Sequence, residues 1–157
     1  MSDRLKVAAV RNLREVELKT LAAKIFAVFA IAVLAPAAHA ACIDLRTAHR
    51  LAFTGGLRFA IFPGPPGFAD VSKGDAPEPA YLLVLPSPIC LTGDPDHADP
   101  GKPVVTVHLL PKDSTEAAMR ALVGSQVSVS LSEPMAAQTG HHRAPLVGWV
   151  DAISKAR

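Results

Sequence analysis

The feature that most constrains the fold is a single helix signal, residues 112–124 (KDSTEAAMRALVG), which lies among runs with the pattern of strands. Asp113 is placed to cap a helix, and Glu116 stands three residues later, in the reciprocal position of a capping box. Gly124 suits the left-handed conformation that follows a helix. These signals together predict one helix of about ten residues.

Five runs have the apolar pattern of β-strands. The clearest is residues 126–132 (QVSVSLS), in which Val127, Val129 and Leu131 alternate with serines and should share one face. The other four runs are 51–62 (LAFTGGLRFAIF), 80–85 (AYLLVL), 104–110 (VVTVHLL) and 146–153 (LVGWVDAI). Glycines 55 and 56, inside the first run, predict a bulge or a sharp bend.

The helix signal falls between the third and the fourth of these five runs. That order is typical of the OB-fold, a small five-stranded Greek-key barrel, and the glycine pair supplies a bend that such a small barrel needs. We therefore predict that residues 41–157 form a single, mainly β domain: an OB-like barrel with one short helix between strands 3 and 4.

The first 40 residues have the pattern of a cleavable signal peptide. Six basic and three acidic residues precede an apolar run of 14 residues, Ile25–Ala38. A run of that length falls short of the about 20 residues of a membrane-spanning helix and matches the roughly 7–15 of a signal-peptide core. Small residues at Ala38 and Ala40 predict cleavage after Ala40, and an uncleaved membrane anchor is the alternative. We expect a Sec-type signal, export to the bacterial periplasm or medium, and membrane contact only before cleavage.

Removal of the leader changes the charge balance of the chain. Residues 41–157 contain 10 basic and 11 acidic residues, a net charge of −1 with neutral histidines. They contain no basic run, and Tyr81 and Trp149 both lie in apolar strands, which argues that exposed aromatic residues are scarce. Because nucleic-acid binders need a basic surface and stacking platforms, we expect no nucleic-acid partner.

Both cysteines, Cys42 and Cys90, lie beyond the predicted leader. An exported protein meets an oxidising compartment, so the sequence favours a Cys42–Cys90 disulfide. A lipid-attachment role for Cys42 is the first alternative, but the preceding His-Ala-Ala lacks the leucine usual at position −3. A catalytic thiol is the second, but no histidine and asparagine pattern accompanies either cysteine.

The chain contains none of the motifs of common catalytic sites: no G-x-S-x-G, H-E-x-x-H, phosphate-binding loop or dinucleotide-binding glycine pattern. Its carboxylates are scattered over predicted loops, so the spacing assigns no acid–base pair. We expect a protein that is not an enzyme and that uses no cofactor.

Adjacent histidines, His141 and His142, stand in a turn-forming stretch before the last strand. In an extended strand their rings would point to opposite faces, whereas in a turn they could converge. A stable metal site needs further ligands, for which His108 is the best candidate. Three interpretations follow: structural histidines that fix the loop, a metal site, or part of another ligand site.

Several stretches resemble a bacterial exported family of domains of unknown function, family 4431. They are the Gly-x-Leu of residues 55–57, the Phe-Pro-Gly-Pro-Pro of 62–66, the Pro-x-Cys of 88–90, and the ending LVGSQVSVS followed by TGHHRAP. The resemblance covers most of residues 41–157, but only the ending is specific. Leu131 or Ser132 stands where that family usually has a glycine. The resemblance implies export and a small domain, and it implies no activity.

Taken together, the sequence predicts an exported, non-catalytic binding or protective module for a protein, glycan or small ligand. The predicted ligand rim consists of two turn-rich segments, Pro63–Gly67 with Pro65 and Pro66, and Thr139–Arg143 with Gly140, His141, His142 and Arg143. The first alternative is a periplasmic metal-binding protein that uses His141 and His142, and the second is a minor enzyme or enzyme inhibitor.

Overall fold

In a computed structural model, which describes residues 42–157, the chain forms seven strands and one α-helix. The strands are β1 (Ile43–Asp44), β2 (Arg50–Pro63), β3 (Pro77–Ile89), β4 (Leu91–Thr92), β5 (Val104–Leu110), β6 (Gln126–Ala136) and β7 (Leu146–Lys155). Helix α1 spans Asp113–Leu122, and a 3-10 turn covers Val71–Lys73. The proposed signal peptide and its cleavage site lie outside the described residues and stay predictions.

Five strands close into a barrel in the order β2-β3-β5-β7-β6. The β5–β7 pairing is parallel and the other pairings are antiparallel. Helix α1 joins β5 to β6, the third and fourth barrel strands. Strand order and helix position are those of an OB-fold, so the predicted mainly β, OB-like barrel is confirmed.

The barrel core is built from residues that alternate along the strands. On β6, Val127, Val129 and Leu131 are buried as predicted, while the serines between them are more exposed. Met119 of α1 is fully buried and joins this core. Burial of one strand face and one helix stripe against a shared interior is what drives such a barrel to close.

Strand β2 changes partner at its glycine pair. It pairs with β6 from Arg50 to Gly56 and with β3 from Gly56 to Pro63. A Cβ atom on Gly55 would overlap the carbonyl oxygen of Val84 on β3. Glycine is therefore needed at Gly55 because another backbone approaches closely where the strand curves.

Two predicted loops are partly strand. Residues 77–79 belong to β3, although the polar segment 70–79, which includes Pro77 and Pro79, predicts a loop. These prolines are tolerated because β3 pairs with β5 only from Tyr81 onward, so one edge of this segment has no strand partner. Strand β6 likewise continues through Glu133 and Pro134, across a register shift.

The start of α1 differs from the predicted cap by one residue. Asp113 is the first helical residue and not the cap, which is Lys112. The Lys112 amide donates to the Thr115 hydroxyl oxygen at 3.1 Å, so Thr115 makes the reciprocal bond that was assigned to Glu116. Gly124 has the predicted left-handed conformation, with φ of 84°. Within residues 42–157, no helix is long and apolar enough to cross a membrane.

The predicted disulfide is present. Cys42 and Cys90 are bonded, with their Cα atoms 4.5 Å apart. Next to the bond, β1 and β4 form a short parallel pair, and the Ile43 amide donates to the Cys90 carbonyl oxygen at 2.9 Å. The disulfide and this pairing fasten residues 42–44 to the segment that follows β3.

Candidate functional site

The two predicted rim segments meet at one end of the barrel. One lies in the loop between β2 and β3, and the other in the loop between β6 and β7. A Cβ atom on Gly140 would lie 3.1 Å from the Phe68 ring, and the rings of Phe68 and His141 meet edge to face at 5.0 Å between centroids. Barrel closure therefore brings together loops that are far apart in the sequence.

Arg143 joins these loops. Its Nη2 atom donates to Oε2 of Glu78 at 2.5 Å and to the carbonyl oxygen of Pro63 at 3.0 Å. The guanidinium lies 5.2 Å from the ring centroid of Phe62 and 5.7 Å from that of Phe68. Arg143 is only 10% exposed, so both its charge pairing and its ring contacts occur away from bulk water.

Glu78 also contacts His141. The His141 Nδ1 atom lies 2.8 Å from Oε1 and 3.1 Å from Oε2 of Glu78. The His141 side chain is 56% exposed, and its amide donates to the Thr139 hydroxyl oxygen at 3.3 Å. Glu78 is thus shared by a cation and an imidazole. The sequence prediction missed it because it lies in a stretch predicted as loop.

His108 and His142 lie next to each other, with ring centroids 6.4 Å apart. The Arg143 amide donates to Nδ1 of His108 at 3.3 Å, and the Gln138 amide donates to Nδ1 of His142 at 3.0 Å. Burial, followed by the charges of His142 and Arg143, lowers the pKa of His108 to about 4. Burial and then His141 lower the pKa of His142. Near pH 7, His108 is therefore neutral.

A groove of about 840 Å³ opens beside these histidines. Phe59 and Tyr81 are opposite each other on β2 and β3, and their ring centroids are 5.1 Å apart. The groove is lined by Phe59, Glu78, Pro79, Ala80, Tyr81, His108, Leu109, Leu110, Pro111, Glu116, Arg120, Val123, His141 and His142. Most of the strand residues that line the groove belong to β3 and β5, the second and third barrel strands. In OB-folds these two strands form the face that binds ligands.

The predicted buried face of β2 is only partly buried. The alternation of Leu57, Phe59 and Ile61 predicted one buried face, and Leu57 is buried as expected. Phe59 is 45% exposed and Ile61 is 55% exposed. Trp149 is also 36% exposed, although its apolar strand predicted burial. Exposed aromatic side chains are thus present, one of them in the groove.

The predicted rim residues divide into two sets. His141 and His142 line the groove, while Arg143 and Gly140 hold the loop that carries them. Pro65 and Pro66, joined by a cis peptide bond, are exposed and lie outside the groove lining. The loop containing the prolines contributes to the site through Phe68, which the sequence prediction did not single out.

The charges around the groove are paired within the protein. Arg120 donates to Glu116 at 2.8 Å, and its pKa is raised, first by Glu116 and then by Tyr81. Glu78 is paired with Arg143, as described above. The groove therefore offers aromatic and aliphatic surface, two imidazoles without charge pairing, and ionic groups that already have partners.

The arrangement of the groove histidines bears on the metal-binding alternative. In the described part of the chain, no group of three or more histidine, cysteine, aspartate or glutamate residues is placed to hold a metal ion. The Nδ1 atoms of His108, His141 and His142 each have a protein partner. A metal would have to use their Nε2 atoms.

A polar cluster outside the groove contains a serine and a lysine. Lys112 Nζ donates to Asp151 Oδ1 at 2.5 Å and to the Ser132 hydroxyl oxygen at 3.2 Å, and the Ser132 hydroxyl donates to Asp151 at 2.8 Å. Hydrogen bonds from Lys112 and then Ser132 lower the pKa of Asp151. These contacts join the residue that precedes α1 to β6 and β7.

No family model, curated protein or solved structure matches this chain. The resemblance of its ending to family 4431 therefore stays a prediction.

Proposed function

We propose that this protein is an exported, non-catalytic binding module whose groove takes a ligand with a flat apolar face. The observation that supports this most directly is Phe59, which is 45% exposed in a groove of about 840 Å³ and packs against Tyr81. Binding pockets are typically apolar concavities of roughly 300–1,000 Å³ with a few placed polar groups. A half-exposed aromatic ring there is a surface that a ligand would remove from water.

The charges of the groove favour an uncharged ligand body over a nucleic acid. Its arginine, Arg120, is paired with Glu116, and Glu78 adds a second carboxylate to the lining. Binding of a phosphate backbone needs cations that are free to replace counterions. Small-molecule and glycan ligands, which present flat apolar faces, fit this lining better.

Export is supported by two independent features. The leader has the pattern of a signal peptide, and the Cys42–Cys90 disulfide is of a kind that forms in oxidising compartments. Fractionation of a bacterial host that expresses the full chain tests this directly. We expect the protein in the periplasm or medium, with Ala41 as its first residue; recovery of the intact chain from the membrane would contradict cleavage.

The binding proposal is tested by amide NMR titration of the purified protein with a library of aromatic and monosaccharide fragments. We expect saturable shifts that cluster on Phe59, Tyr81 and His108. Phe59→Ala should weaken a fragment that binds there by about fivefold, since an aromatic contact contributes about 1 kcal/mol.

Ile61→Ala is the matched control for that variant. Ile61 is on the same strand and is even more exposed, but it lies outside the groove lining. The proposal predicts that Ile61→Ala binds the fragments as the wild type does. Equal loss in both variants, or shifts scattered over the whole surface, would argue against the groove as the binding site.

A further inference from the structure

Two backbone amides fix the tautomers of the groove histidines. An amide N–H can only donate, so Nδ1 of His108 must accept from Arg143, and Nδ1 of His142 must accept from Gln138. A neutral imidazole with an unprotonated Nδ1 carries its hydrogen on Nε2. Both rings are therefore held as Nε2–H donors before any ligand arrives.

Those donors have no acceptor among residues 42–157. Neither Nε2 atom makes a hydrogen bond to residues 42–157, and no buried side-chain nitrogen or oxygen of the described residues lacks a partner. Both Nε2 atoms therefore keep contact with solvent. Because His108 is only 6% exposed and lines the groove, the groove is where its remaining surface meets water.

We propose that His108 and His142 form a paired donor site for an acceptor oxygen, so that the ligand combines a flat apolar body with a carbonyl or carboxylate group. This inference rests on the proposed function and names the ligand chemistry of that same groove. The apolar body would pack on Phe59, and the oxygen would accept from the Nε2–H groups. Donors preset by other bonds lose little freedom on binding.

The tautomers can be read directly. Long-range proton–nitrogen correlation spectra of the imidazoles distinguish a protonated from an unprotonated ring nitrogen. At pH 7 we expect His108 and His142 to show protonated Nε2 and unprotonated Nδ1. Protonated Nδ1 in both rings would overturn the inference, whatever the groove binds.

The ligand chemistry is tested with acetophenone, benzoate and ethylbenzene, titrated by amide NMR into the wild-type protein. Acetophenone and ethylbenzene have nearly the same shape and differ in the carbonyl oxygen. We expect acetophenone or benzoate to bind at least about fivefold more tightly than ethylbenzene, as expected for one or more net hydrogen bonds. The tighter of the two identifies carbonyl or carboxylate as the preferred acceptor.

Three variants separate the effect of losing the Nε2 donor from the effect of disturbing the loop that carries His142. His142→Asn keeps an acceptor for the Gln138 amide but removes the Nε2 donor, so the preference over ethylbenzene should fall. His142→Gln places an amide N–H near the Nε2 position and should restore part of the preference over ethylbenzene. His97→Asn, in a separate loop, should leave the preference unchanged.

The outcomes distinguish this inference from the proposed function. If all three compounds bind in the groove with equal affinity, or His142→Asn keeps the full preference, the donor site is wrong and the binding groove stands. If none of the three compounds shifts the amide signals of groove residues, and no fragment of the library does so either, the proposed binding groove is wrong.

Discussion

Arg143 and Glu78 are 65 residues apart in the sequence and form an ion pair at one end of the barrel. The arginine side chain is 10% exposed and the glutamate 26%. The pair connects the start of β3 to the loop before β7, and the Arg143 amide also reaches His108. One ion pair thus holds the loop that carries His142 beside the buried histidine of β5.

Loss of the Glu78 charge should destabilise the protein and loosen this loop. Glu78→Gln would leave Arg143 largely buried without a counter-charge, and we expect the free energy of unfolding to fall by about 2 kcal/mol. Urea denaturation followed by circular dichroism measures the change. Glu133→Gln, an exposed carboxylate on β6, is the matched control and should shift the midpoint little. Equal effects of both variants would show that the pairing contributes no specific stability.

Stability should depend on pH through His108. Its pKa is about 4 in the folded protein, against 6.5 in an unfolded chain, so between these values the unfolded state binds more protons. Stability should therefore fall as the pH is lowered from about 6.5 to about 4, by up to about 3 kcal/mol for this group. Urea midpoints measured across that range test the slope.

The variant His108→Asn identifies the group responsible for that slope. Asparagine can accept from the Arg143 amide but does not titrate, so the variant should show a much flatter profile between pH 6.5 and pH 4. His49→Asn, at an exposed position before β2, is the control and should keep the wild-type profile. A wild-type slope in His108→Asn would assign the pH dependence to other groups.

Gly55→Ala should be far more harmful than Gly56→Ala. A Cβ at Gly55 overlaps the Val84 carbonyl oxygen, whereas one at Gly56 has only an ordinary contact, 3.5 Å from the Gln126 side chain. We expect losses of about 3 kcal/mol for Gly55→Ala and less than about 1 kcal/mol for Gly56→Ala. Thermal unfolding of the two variants provides the comparison, and similar melting temperatures would contradict the close approach of β2 and β3.

The disulfide should contribute strongly to stability. It closes a loop between residues 48 positions apart, for which the chain-entropy contribution is about 4 kcal/mol. The double variant Cys42→Ser, Cys90→Ser should lose most of that amount in urea denaturation. The oxidised wild type treated with a reductant should move toward the same midpoint; no change in either sample would mean that the bond only tethers residues 42–44.

Zinc should not stabilise the protein. The three histidines near the groove direct Nδ1 to protein partners, and no set of three ligands is formed within residues 42–157. We expect the melting temperature to be the same with and without micromolar ZnCl₂. A rise that His142→Ala abolishes would instead favour the metal-binding alternative.

The sequence predicts the loop residues of the site, but it does not predict the residues on the barrel strands that complete the site. The adjacent histidines and the turn-forming residues around them predict Gly140, His141, His142 and Arg143 as site residues, and two of these four line the groove. Glu78 and Phe59 were missed because nothing local distinguishes them. A glutamate between two prolines has the composition of a loop, and a phenylalanine in an alternating run has the composition of a core residue.

The sequence by itself determined the order of the five barrel strands and the helix, the alternating core of β6 and the disulfide partners. Each of these depends on neighbours in the chain or on the presence of only two cysteines. Only the tertiary structure decided which side chains line the groove. Leu57 and Phe59 point to the same side of β2, but Leu57 lies inside the closed barrel and Phe59 is left 45% exposed beside the groove. Which of two equivalent positions is covered depends on where distant strands and loops close over them, and a local pattern carries no information about that closure.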